Sequence, residues 1–120
     1  MNPSYLLLYV TDVAKSAELY SQIFSTTPVE QSPGFALFAL DTLRVGLWRR
    51  ENVEPAVTAP AGGLEIGFAV ETDGELEATL QNWTALGLTL LQPIEAKEFG
   101  LTMTMSDPDG HRLRAFVPAQ

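Results

Sequence analysis

The chain has 120 residues, 46% of them hydrophobic, no cysteine and a formal net charge of −8. That length suits a single domain with one core, no apolar run approaches the ~18 residues of a membrane span, and the missing thiols exclude disulfides, a cysteine nucleophile and a thiolate zinc site. A chain this acidic is a poor ligand for nucleic acid, whose affinity depends on neutralised phosphates, and the opening Met1-Asn2-Pro3-Ser4 lacks the basic segment of a secretory signal, so a cytoplasmic location is expected.

In chain order, Tyr5 to Val10 reads as a strand. Thr11-Asp12 offers an N-cap to a helix over Val13 to Phe24, with Val13, Ala17, Tyr20 and Phe24 on one face. Short strands follow near 27–31, 34–40 and 43–50. Glu51 to Gly63, rich in Pro, Gly and Ala, reads as a linker. The order then recurs about sixty residues on. Leu64 to Val70 reads as a strand, and Thr72-Asp73 caps a helix that buries Leu76, Leu80 and Trp83 and stops at Gly87. Strands near 88–92, 99–106 and 111–117 complete the second half. The pattern is βαβββ twice, an α+β chain of one domain: module one at about 1–50, the linker at about 51–63 and module two at about 64–120.

Ser106-Asp107-Pro108-Asp109-Gly110-His111 lies between two strand patterns, and Asp-Pro-Asp-Gly has the residues of a tight turn, so the segment reads as a hairpin. Strand alternation also sorts the side chains. Val45 and Leu47 form a face to pack on a helix, while Arg44, Gly46, Trp48 and Arg50 take the other; Leu113, Ala115 and Val117 oppose Arg112, Arg114 and Phe116. Tryptophan and phenylalanine beside arginines suit a planar ligand, anionic or neutral, since rings supply stacking area and a guanidinium fixes a carboxylate or phenolate; a Trp48 that fills a core or a dimer interface fits the same pattern equally well. Gly46, without a side chain, is expected to leave room beside the Trp48 indole. Trp83 reads as core.

The hairpin, together with Leu8-Tyr9-Val10-Thr11-Asp12-Val13-Ala14-Lys15-Ser16 and the repeat, resembles the vicinal oxygen chelate superfamily of glyoxalase I, bleomycin-resistance proteins and extradiol dioxygenases. The resemblance covers the whole chain and implies two modules curling around one cavity, in a dimer. Its metal-dependent members take ligands at positions that match Tyr5, Glu65 and Arg114. A guanidinium cannot ligate a metal and one carboxylate does not hold a catalytic ion, so no metal and no other cofactor is expected. Opening and closing strands of the second module are neighbours in the resembling fold, where Glu65 and Arg114 would form a bidentate pair. The only histidine, His111, is out of phase with Arg112 and Arg114 and reads as a turn residue bonded to backbone.

Leu47-Trp48 before an acidic, Glu-Pro-containing linker, Asn82-Trp83 in the second helix and Ser-Asp-Pro-Asp-Gly-His near the end are similar to the drug-binding, phenazine-resistance branch of that superfamily. That likeness implies a metal-independent, homodimeric binding protein for a planar aromatic small molecule, lined by Trp48, Arg44, Tyr5, Glu65, Arg114 and Phe116. One alternative is an enzyme of the same fold, either a metal-dependent isomerase or dioxygenase or a metal-free lyase with Glu65 as base; the other is an interaction module whose cavity is filled by side chains.

Overall fold

A computed structural model describes residues 1–120, which divide into two compact units, Met1–Ala59 and Pro60–Gln120. The first contains β1 (Tyr5–Val10), α1 (Val13–Phe24), β2 (Glu30–Ser32), β3 (Phe35–Ala39) and β4 (Arg44–Arg49). The second contains β5 (Glu65–Ala69), α2 (Asp73–Ala85), β6 (Thr89–Lys97), β7 (Gly100–Ser106) and β8 (Arg112–Pro118). The strand orders are β1-β4-β3-β2 and β5-β8-β7-β6, so one topology occurs twice. In each unit the opening strand lies parallel to the closing strand and the other pairings are antiparallel. This is the expected α+β, twofold βαβββ arrangement, as two mixed four-stranded sheets. Neither helix is long and apolar enough to cross a membrane.

Local chemistry sets the helix ends. Asp12 accepts a hydrogen bond from Lys15 N at 3.1 Å and Thr72 accepts one from Glu75 N at 3.1 Å, which satisfies donors that have no partner in the first turn. At the end of α2, Leu88 N donates to Trp83 O and Gly87 N to Thr84 O, with Gly87 at φ +93°; this is the Schellman closure that glycine admits without strain. α1 ends at Phe24, as its apolar pattern predicts, although no glycine follows it: Ser25 takes the left-handed conformation at φ 55°.

Each helix covers one sheet face. Phe24 of α1 meets Phe38 of β3 edge-on at 5.3 Å, and Trp83 of α2 meets Phe68 of β5 edge-on at 5.3 Å. The buried Leu8, Val10, Val45 and Leu47 share the Phe38 side, and Met103, Met105, Leu113 and Ala115 share the Phe68 side. Burying a leucine or valine of this kind contributes about 1.5–3 kcal/mol, so these faces hold the units together. Trp83 is buried, as its place on the helix predicts.

Three segments differ from the sequence reading, the first being the strand expected near 27–31, which is the short β2, Glu30–Ser32. The strand expected near 88–92 continues to Lys97, with register shifts on both sides of Gln92, the second of them across Pro93, which has no N–H for the ladder. The segment expected to be a plain linker opens with one 3₁₀ turn, Arg50–Asn52, buries Val53, and is tied back by Arg50 Nη2 donating to Ala59 O at 2.9 Å.

Candidate functional site

The faces turned away from the helices carry the candidate residues. In the first unit, register sets Tyr5 beside Arg44, Leu7 beside Gly46 and Tyr9 beside Trp48 across β1 and β4, and Phe35 beside Trp48 across β3 and β4. Tyr9 and Trp48 meet edge-on at 6.3 Å. Tyr9, Trp48 and Phe35 therefore form an aromatic row across three strands, half-buried, with open ring surface. Tyr5 is 54% exposed. Together with Arg44 and the Ala39–Leu43 turn it lines an open depression of about 250 Å³, to which Asp41 also contributes.

Arg44 is exposed, and no carboxylate lies within ion-pairing distance of it. Gly46 does not leave the free space expected of it. A Cβ there would sit 2.7 Å from Leu7 Cδ2 and 2.8 Å from Phe35 Cζ, so these two side chains already fill the surface beside Trp48. Alternation reported which face Gly46 is on, but not which neighbours reach over it.

The second unit's open face is polar. Arg114 Nε donates to Glu65 Oε1 at 2.7 Å and Nη2 to Glu65 Oε2 at 3.3 Å, the bidentate pairing of a guanidinium with a carboxylate. Nη1 donates to Gln92 Oε1 at 3.0 Å and to Thr102 Oγ1 at 2.9 Å. Gln92 Oε1 also accepts from Thr104 Oγ1 at 3.1 Å, and Thr102 Oγ1 donates to Ala115 O at 3.4 Å. The network is complete: no buried side-chain nitrogen or oxygen lacks a partner. Phe116, on the same face of β8, meets Phe99 edge-on at 6.0 Å, and the Arg114 guanidinium lies 5.6 Å from the Phe99 ring centre.

The turn that suggested the fold is built as its residues predict. Gly110, at φ +94°, donates to Asp107 O at 3.0 Å, and Asp107 Oδ1 accepts from Asp109 N at 3.0 Å and His111 N at 2.8 Å. His111 is buried at this turn. No group of three His, Asp or Glu side chains is placed to hold a metal ion. At the positions that the resemblance gives to metal ligands, Arg114 occupies both oxygens of Glu65, so this donor set does not fit a metal.

Of the six candidate residues, Tyr5, Arg44 and Trp48 lie on the open face of the first unit, and Glu65, Arg114 and Phe116 on that of the second. Sequence reasoning did not single out Phe35 and Tyr9, which flank Trp48, nor Gln92, Thr102 and Phe99, which surround Arg114. Cross-strand register was the signal that would have found Phe35 and Tyr9. Phe99 had none, since it lies in the turn between β6 and β7.

The chain resembles known proteins along its whole length. It is 29% identical over 119 residues to phenazine antibiotic resistance protein EhpR of Enterobacter agglomerans, across 95% of this chain and 90% of that protein. The solution structure of protein ATC0852 from Agrobacterium tumefaciens is 40% identical, with a TM-score of 0.92 over 100% of this chain and 99% of the other. A glyoxalase-related enzyme from Fulvimarina pelagi, 24% identical, shares the fold with a TM-score of 0.88 over 98% of this chain and 88% of that one. The model of the Glyoxalase/Bleomycin resistance protein/Dioxygenase superfamily matches residues 3–115, and the chain belongs to that superfamily.

Proposed function

We propose that this protein binds a planar aromatic small molecule without metal or chemistry, sequestering or handing over its ligand as a homodimer in the cytoplasm. One observation carries the reading: the Tyr9–Trp48–Phe35 row lies on the same open face as Arg44, a guanidinium with no carboxylate partner. Stacking on aromatic rings suits a fused-ring molecule, and the free cation suits a carboxylate or phenolate on its edge. Arg44 and Trp48 are four residues apart on one strand, about 13 Å, and Leu7 and Phe35 floor the interval. The relative named for phenazine antibiotic resistance points to the same ligand class. Exposed Leu90 and Leu91 on the edge strand β6 favour self-association. A metal-free lyase is disfavoured, because Arg114 holds both oxygens of its only candidate base, Glu65.

The test is calorimetric titration of the wild type and Trp48→Ala with phenazine-1-carboxylate and a panel of other planar arenes. Losing the indole is expected to weaken binding about tenfold, from 0.5–1.5 kcal/mol of stacking plus the buried ring area. Since Trp48 is only half-buried, its melting temperature should fall far less than for a packed core tryptophan, whose loss costs about 3–5 kcal/mol. A wild type that binds no arene refutes the reading. So does a Trp48→Ala variant with unchanged affinity and a large loss of stability.

A further inference from the structure

Phe99 is an apolar side chain in a turn, 48% exposed, yet its surroundings are ordered. Its carbonyl accepts from Ala119 N at 2.9 Å. The next residue, Gly100, has φ +136° and lies so close to the end of β8 that a Cβ would overlap the Val117 carbonyl oxygen. The backbone that follows the ring is thus pinned against the end of β8.

The ring itself has two supports. Phe116 meets it edge-on, and the Arg114 guanidinium lies over it at 5.6 Å. Arg114 can be a fixed support because at least four of the five N–H groups of a guanidinium are already used, on Glu65, Gln92 and Thr102. It has little left with which to bind an anion. An aromatic ring that is half exposed and held in place offers stacking surface at low entropic cost.

We propose that Phe99 is a ligand-stacking residue of this protein and that the Glu65–Arg114 pair is its positioning clamp; this rests on the planar-arene reading above. The charges nearby define the ring it takes. Arg114 is neutralised by Glu65 and Lys97 by Glu95, while Glu98, next to Phe99, has no cationic partner. Arg112 is at the far end of β8, about 13 Å along the strand from Phe116. The stacked ring is therefore one without negative charge.

Calorimetric titration with phenazine and with acridine, both uncharged tricycles near neutral pH, tests this. Phe99→Ala is expected to weaken binding about three- to tenfold, and Phe99→Tyr, which keeps the ring, less than about twofold. In the Glu65→Gln/Arg114→Met background, which keeps the net charge, the Phe99→Ala effect should shrink to less than about twofold, because the ring is no longer held. Melting curves show that each variant is folded. If Phe99→Ala leaves both affinities unchanged, the role of Phe99 is overturned, and the planar-arene reading, which rests on Trp48 and Arg44 of the first unit and is tested by its own titration, stands. If Phe99→Ala costs as much with the clamp as without it, the clamp is overturned. A wild type that binds neither probe nor any other planar arene overturns both readings.

Discussion

Replacing Arg114 with methionine tests the network that occupies the second unit's open face. Methionine keeps most of the stem and removes the guanidinium. The arginine side chain is 19% exposed and Glu65 39% exposed, so the pair falls between a surface ion pair, at about 0–1 kcal/mol, and a buried pair whose breaking costs about 3–5 kcal/mol. Glu65 can regain water, so about 1 kcal/mol is reasonable for its share. Thr102 is fully buried and Gln92 partly so; each loses a charged donor, at about 1 kcal/mol apiece. The expected loss is about 2–3 kcal/mol, or roughly 10 °C of melting temperature for a chain of this size. Glu65→Gln keeps an acceptor for Arg114 and should cost less, about 1 kcal/mol. Urea or thermal unfolding of the two single variants and the double variant closes a cycle whose coupling should be near 1 kcal/mol. An Arg114→Met protein that melts within about 2 °C of the wild type, or a coupling of zero, would refute this account of the network.

Gly100→Ala should cost about 3 kcal/mol or more in the same unfolding assay, because it combines a strained φ with overlap on the Val117 carbonyl. Sedimentation velocity at micromolar concentration should show a dimer, and a species that stays monomeric throughout would remove self-association from the proposed function.

Most of the fold was legible in the sequence because its signals are local. Caps at Asp12 and Thr72, the Gly87 stop and the Asp107–Gly110 turn each depend on residues within five positions of one another. The Glu65–Arg114 pair, 49 residues apart, was legible only through the resemblance, which supplies the pairing of β5 with β8. What alternation cannot report is which neighbours a side chain meets. It put Arg44 and Arg114 on the same kind of face, and only the three-dimensional partners separate them: Arg44 has no carboxylate, while Arg114 is almost fully used. Phe99 was passed over for a related reason. A side chain in a turn reads as solvated, and nothing in the sequence says that this one folds back onto Arg114 and Phe116.

The two units also show how one topology yields two surfaces. Across the parallel strands, Leu7 is paired with Gly46 in the first unit, and Gly67 with Arg114 in the second. At the same place in both, one strand has glycine and the other a large side chain; the glycine has changed strand. Leu7 makes the first face apolar, and Arg114 makes the second polar. The two glycines are not equally demanding. At Gly46 a Cβ meets Leu7 and Phe35 below 3 Å, whereas at Gly67 its nearest contact is Phe116 Cε1 at an ordinary 3.7 Å. Gly67→Ala should be neutral or stabilising by about 0.5 kcal/mol, as expected for alanine replacing glycine in a strand. Gly46→Ala gains the same term but must displace two packed side chains, which costs about 1–3 kcal/mol, so it should be destabilising by roughly 1 kcal/mol. Leu7, at the edge of the open face, can swing away more easily than Phe35, so Leu7→Ala should restore part of the loss. Unfolding curves for the three variants decide the matter. Equal effects at Gly46 and Gly67 would mean that the contacts of Leu7 and Phe35 over Gly46 carry no energy, and would take away the floor on which the Trp48 site is drawn.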